Sequence, residues 1–226
     1  QREPPKIMNL KTDPNLGSSL INRRSIHILG AGLNKERNAH KAVGELSKKG
    51  WRSVPVHPRD AGATISGMPI RYEIERGVEL DVVVLFLAPE RTRNAVRNLL
   101  LREIENPPLI WFQPGAEDET TISWLNDAGW DFVYNDCIVK YVERNNLRRT
   151  ISQFPWFRQV QDKDDSGCSI WTVHEASDDV DLPNTKLEWV GDLVDLLLSS
   201  NVIPKYIRSL VNENESLEEC ARRLAS

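Results

Sequence analysis

Ser25-Ile26-His27-Ile28-Leu29-Gly30-Ala31-Gly32-Leu33-Asn34 runs from an apolar segment into a glycine turn, and a helical pattern follows at residues 38–49. A strand, a glycine turn and a helix opening bring backbone N–H groups and the positive end of a helix dipole to one spot. Such a spot suits a phosphate. In the helix, Ala39, Ala42, Val43 and Leu46 recur at helical spacing and Gly50 marks the end. Residues 52–56 read as a second strand, stopped by Pro58. Residues 81–87 are apolar on both faces, as a central parallel strand should be. Helices over 90–104 and 119–128 then alternate with strands over 109–112 and 131–134. Five strands with intervening helices on short loops predict an α/β fold, a Rossmann-like open parallel sheet with helices on both faces.

Beyond Arg144 the alternation stops. Ser169–Val173 suggests a short strand, residues 187–199 a helix, and Ser216 with Glu219 the capping box of a last helix. Three domains are expected: a flexible N-terminal arm over 1–24, the Rossmann-like domain over 25–146, and a mainly helical acidic C-terminal extension over 147–226. Charge follows this division. Residues 1–24 carry +3 and residues 162–226 carry −8, within a total of −4. A near-neutral core argues against nucleic-acid binding, which needs a basic face. No apolar run reaches membrane-spanning length. Cys137, Cys168 and Cys220 are too far apart for a disulfide framework or a zinc site, so a reducing, cytoplasmic setting is expected. The start at Gln1 is expected to reflect trimming, which leaves an organelle open.

In an open parallel sheet the ligand lies outside the carboxyl ends of the strands. Those ends supply residues 30–34, His57-Pro58-Arg59, Ala88-Pro89-Glu90, Gln113-Pro114-Gly115 and Asn135-Asp136-Cys137. The turn is not a full dinucleotide fingerprint, because Lys35 stands where GxGxxG needs its third glycine. An NAD site wants an acidic residue at the second strand end, and the chain offers His57, Pro58 and Arg59 there. A cation at that point favours a phosphorylated ribose, as in NADP or coenzyme A; otherwise His57 and Arg59 are solvated loop residues.

Six stretches then carry a resemblance over residues 23–145: Ile28-Leu29-Gly30-Ala31-Gly32, Val54-Pro55-Val56-His57-Pro58-Arg59, Ile65-Ser66-Gly67-Met68-Pro69, residues 82–90, Trp111-Phe112-Gln113-Pro114-Gly115, and Ala128-Gly129 with Asp136-Cys137-Ile138. In order and spacing they resemble the stand-alone CoA-binding proteins, whose domain is related to that of succinyl-CoA synthetase alpha subunits. The resemblance implies a CoA or acyl-CoA ligand. Gly30, Ala31, Gly32, Leu33 and Asn34 would wrap the phosphates, helped by Lys35, Arg37 and His40. His57, Pro58 and Arg59 would meet the adenosine and its 3′-phosphate, and Ala88 and Pro89 would flank the nucleotide or pantetheine. Gln113, Gly115 and Cys137 complete the expected set. Asp136 departs from the family, which often has Arg there.

No Ser-His-Asp order, paired carboxylates or metal-ligand spacing stands out, so neither catalytic nor metal residues are assigned. Cys137 reads as a packing residue before it reads as a reactive thiol. The synthetases transfer phosphate through a histidine of a separate ligase domain, and residues 147–226 show no copy of it. Binding without catalysis is therefore expected, in a carrier, sensor or regulatory role. The alternatives are an NADP-linked oxidoreductase with the same cradle, or a CoA-binding subunit of a separate acyl-CoA ligase. The extension would dock that ligase or a second copy in a homo-oligomer.

Overall fold

The computed structural model describes residues 9–150, 153–164 and 166–225. In chain order the elements are a 3-10 turn at Leu10–Thr12, α1 (Leu16–Asn22), β1 (Ser25–Leu29), α2 (Asn38–Lys48), β2 (Arg52–Val56), β3 (Thr64–Ile65), β4 (Met68–Pro69), β5 (Val82–Leu85) and α3 (Pro89–Leu100). Next come β6 (Leu109–Phe112), α4 (Glu119–Ala128), β7 (Phe132–Val133), α5 (Ile138–Arg144), β8 (Trp156–Gln161), β9 (Ser169–His174), β10 (Leu187–Asp192), α6 (Leu193–Leu198), α7 (Val202–Ser209) and α8 (Leu217–Leu224).

The main sheet has the order β2-β1-β5-β6-β7. Its recorded pairings are parallel, with Ile26 opposite Val82, Val82 opposite Leu109 and Ile110 opposite Phe132. Every residue of β1, β5 and β6 is buried. A strand covered on both faces needs a continuous apolar run, which is why these segments were legible. The order turns back beside β1, where doubly wound sheets open a crevice at the strand carboxyl ends.

The chain forms two compact units, Gln1–Gly30 with Glu45–Ser53 and Leu80–Ile151, and Ala31–Gly44 with Val54–Glu79 and Ser152–Ser226. In the first, much of the arm expected over 1–24 is part of the fold. Leu16 and Leu20, one helical turn apart on α1, are buried, and Asn9 bridges Phe132. Trp51 Nε1 donates to the Arg23 carbonyl at 3.0 Å. Residues 1–8 lie outside the described residues.

In the second unit, β10-β8-β9 form an antiparallel sheet beside α6, α7 and α8. Phe157, Trp171 and Trp189 stack across one face, with centroids 5.5 and 5.9 Å apart. They pack with Leu196, Ile207 and Ala221. Residues 187–199 are thus not one helix but a strand followed by a short helix. Their apolar spacing satisfies a helix, yet pairing with β8 holds Leu187–Asp192 extended. Asp192 then caps α6 in a reciprocal box with Asp195.

Residues 54–79 pack against this C-terminal part. Thr64 N–H donates to the Val180 carbonyl at 3.0 Å, and Gly67 N–H to the Asp179 carboxylate at 2.9 Å. Arg158 reaches the Gly62 carbonyl at 2.8 Å. Glu75 accepts from Ser199 Oγ at 2.5 Å, and Ser200 N–H donates to the Arg76 carbonyl at 2.7 Å.

Burial pushes the Glu75 carboxyl up from its ordinary range, against the opposing bond from Ser199. A raised folded-state pKa contributes stability that is full below the unfolded value and is lost as pH climbs through the folded one. Glu75→Gln should therefore gain on the wild type in unfolding midpoint as pH is raised above 4.5, the ordinary value. A difference that stays flat from pH 4.5 upward would show that the carboxyl titrates as it does in the unfolded chain. Asp118 works in the opposite sense in acid, because Arg93 holds it well below the carboxylate range.

Candidate functional site

In the second unit, the residues after β1 and after β2 meet. Leu33 N–H donates to Asp60 Oδ2 at 2.8 Å. His40 Nδ1 lies 2.8 Å from the Gly32 carbonyl, so that nitrogen carries a proton and donates. Asn34 shapes the next turn, accepting Glu36 N–H on its side chain at 3.0 Å and Arg37 N–H on its carbonyl at 3.1 Å. Asp60 N–H returns to the His57 carbonyl at 3.2 Å, folding His57-Pro58-Arg59-Asp60 into a turn. His57 Nδ1 stands 3.4 Å from Asp60 Oδ2.

Gly32 is the close approach. A Cβ there would stand 2.3 Å from Asp60 Oδ2 and 2.9 Å from the His57 ring, so no other residue fits without displacing both. Ala31 is buried, and Leu33 is half-buried. Lys35, Arg37, Pro58 and Arg59 are exposed. The three cations make no side-chain ion pair with any described residue. The arrangement brings a backbone amide that already holds an anionic oxygen, a histidine on the loop carbonyl and exposed positive charge to two adjoining turns, which is the chemistry of an anion site.

Asp60 is the residue that sequence reasoning missed. The second strand end does carry a carboxylate, three residues beyond His57, and it turns inward onto the glycine loop. Its signal was present, an acidic residue just past the strand, but only the His57–Asp60 turn shows where it points.

The remaining expected residues belong to the first unit. Gly30 has φ +93°, and a Cβ on it would lie 2.4 Å from the Phe86 carbonyl oxygen. Ala88 and Pro89 are exposed, at the N-cap and first position of α3. Gln113 follows β6 and is 5% exposed; its Nε2 has no partner among the described residues. Gly115 is exposed and donates its N–H to Glu117 at 2.8 Å. Cys137 is half-buried at the N-cap of α5 and makes no side-chain cap bond. Asp136, where the family often has Arg, is paired with Arg144 by both carboxylate oxygens. The reversed charge is therefore neutralised within the same loop and helix. Trp111 Nε1 holds the Asp136 carbonyl at 2.9 Å. Among the described residues, no His, Cys, Asp and Glu group could hold a metal, and no helix is long and apolar enough to cross a membrane.

Residues 24–143, just over half of the chain, match the family model described as a CoA binding domain. A solved protein from Thermus thermophilus, cell-free ID.343, is 26% identical with a TM-score of 0.53; the match covers 58% of this chain and 97% of that one. A hypothetical protein from Pyrococcus horikoshii OT3 is 23% identical with a TM-score of 0.52, covering 64% and 98%. The second likeness speaks for the fold alone. More than a third of this chain lies outside each match. No curated protein matches.

Proposed function

Because the chain belongs to the CoA-binding domain family, we propose that it binds coenzyme A, free or acylated, as a carrier, sensor or regulator that does no chemistry on the thioester. The observation that carries this reading is the glycine loop folded against the His57–Asp60 turn, with Lys35, Arg37 and Arg59 on the two turns exposed and in no ion pair with a described residue. The diphosphate is assigned to Gly30-Ala31-Gly32-Leu33-Asn34, with Lys35 and Arg37 neutralising charge and His40 beside them. The 3′-phosphate is assigned to Arg59, with His57 and Pro58 against the adenosine. By the family resemblance Ala88, Pro89, Gln113, Gly115 and Cys137 complete the set, and Gln113 has a buried donor to offer.

A thermal-shift series with CoA, acetyl-CoA, 3′-dephospho-CoA, NADP and NAD tests this reading, since a ligand that binds the native state raises the midpoint. CoA and acetyl-CoA are expected to raise it, and a rise with NADP alone would replace this reading with the oxidoreductase one. Arg59→Ala should weaken CoA roughly tenfold, the worth of one charge-assisted hydrogen bond. It should leave 3′-dephospho-CoA nearly unchanged. Equal losses for both ligands would move the 3′-phosphate elsewhere.

A further inference from the structure

We infer that Asp60 is an internal anion that occupies the phosphate position of the glycine turn and must leave it for a ligand to bind, so that this side chain sets which ligands enter. The inference rests on the CoA reading of the same site. Three observations carry it. Asp60 Oδ2 accepts the Leu33 N–H at 2.8 Å, a bond that the diphosphate would need. The same oxygen fills the space over Gly32, where a Cβ would come within 2.3 Å of it. In nucleotide-binding turns of this kind, the second glycine exists so that the pyrophosphate can approach the backbone. Here a carboxylate oxygen stands in that place, chemically a stand-in for a phosphate oxygen. Third, the side chain is 23% exposed at the end of a short turn, where His57 Nδ1 stands 3.4 Å from the same oxygen. Rotation of Asp60 into solvent frees the amide without disturbing β2.

The consequence is selection by ligand charge. Each ligand must break the Leu33–Asp60 bond and then sit beside a displaced negative charge. A polyanion that also engages Lys35, Arg37 and Arg59 offsets both penalties, whereas a ligand with a single phosphate contact does not. Asp60 thus rejects small anions rather than attracting CoA.

Isothermal titration of the full chain with CoA, and separately with inorganic pyrophosphate, tests the inference on the wild type and on Asp60→Asn and Asp60→Ala. Asn matches Asp in shape and keeps an oxygen for Leu33, but it loses the charge; Ala frees the amide outright. Pyrophosphate is expected to bind at least fivefold tighter to both variants, and CoA to gain less than pyrophosphate does. Folding is checked by circular dichroism, and the Leu33 amide resonance reports whether its bond to Asp60 is lost when ligand is added to the wild type. Unchanged or weaker pyrophosphate binding in the folded Asn variant, or a Leu33 amide unmoved by saturating CoA, would overturn the role of Asp60 while leaving CoA binding intact. Tighter pyrophosphate binding with no CoA binding in any variant would uphold Asp60 and remove the CoA reading. If nothing binds any of the three proteins, both fall.

Discussion

Replacing Arg71 by Met is expected to lower folding stability by about 3–5 kcal/mol, the penalty for leaving buried carboxylates without their cation. Arg71 is 2% exposed, and its guanidinium donates to Asp195 Oδ2 through Nε at 2.9 Å and Nη2 at 2.7 Å. Nη2 also lies 3.0 Å from Asp192 Oδ2, and Nη1 donates to the Pro69 carbonyl at 2.6 Å. Asp195 is 1% exposed, so water cannot take over when the cation goes. Methionine fills much of the volume, which keeps a cavity from accounting for the loss. Arg71→Lys should fall between the two, since an ammonium keeps the charge but lacks the planar fork. Guanidinium chloride denaturation measures all three. A methionine variant within about 1 kcal/mol of the wild type would mean that the two aspartates are satisfied without Arg71.

The second large effect is expected at Gly30→Ala, a loss of about 2–5 kcal/mol. A non-glycine residue in the left-handed region costs roughly 1–2 kcal/mol. Gly30 sits there at φ +93°. The added Cβ would also meet the Phe86 carbonyl oxygen at 2.4 Å, and that oxygen belongs to the backbone just past β5. A flexible side chain could turn aside, but this carbonyl cannot move without its strand, since Phe86 N–H is bonded to the Leu29 carbonyl at 3.0 Å. The overlap adds strain of about 1–3 kcal/mol. A loss below 1 kcal/mol in the same denaturation assay would show that the β1–β5 junction yields more easily than its bonding implies.

What the sequence disclosed follows from how local each feature is. Val82–Leu85 and Leu109–Phe112 were legible because burial on both faces writes itself as an unbroken apolar run. The C-terminus of Glu119–Ala128 was legible from Gly129, which takes the left-handed C-cap. Leu187–Asp192 was not. Its apolar residues suit a helix as well as a strand, and only pairing with β8 decides between them. Gly191 and the Asp192/Asp195 box were the local signs of a break. The glycine turn and the exposed Arg59 could be found from spacing, whereas the inward direction of Asp60 depends on the turn that carries it. The burial of Arg71 was not legible, because its aspartate partners lie far along the chain.

Arg71 also has a backbone. Its carbonyl accepts the His57 N–H at 3.0 Å and its own N–H donates to the Pro55 carbonyl at 2.9 Å. One residue therefore clamps the end of β2 through its main chain and the cap of α6 through its side chain. Cutting the polypeptide after residue 146, just past the family match at 24–143, would strip that clamp of its acidic jaw and bare the surface of residues 54–79. The matched domain is consequently not excisable at that point: residues 54–79 and the tail are staves of one cask, and truncation there would spill the unit they share.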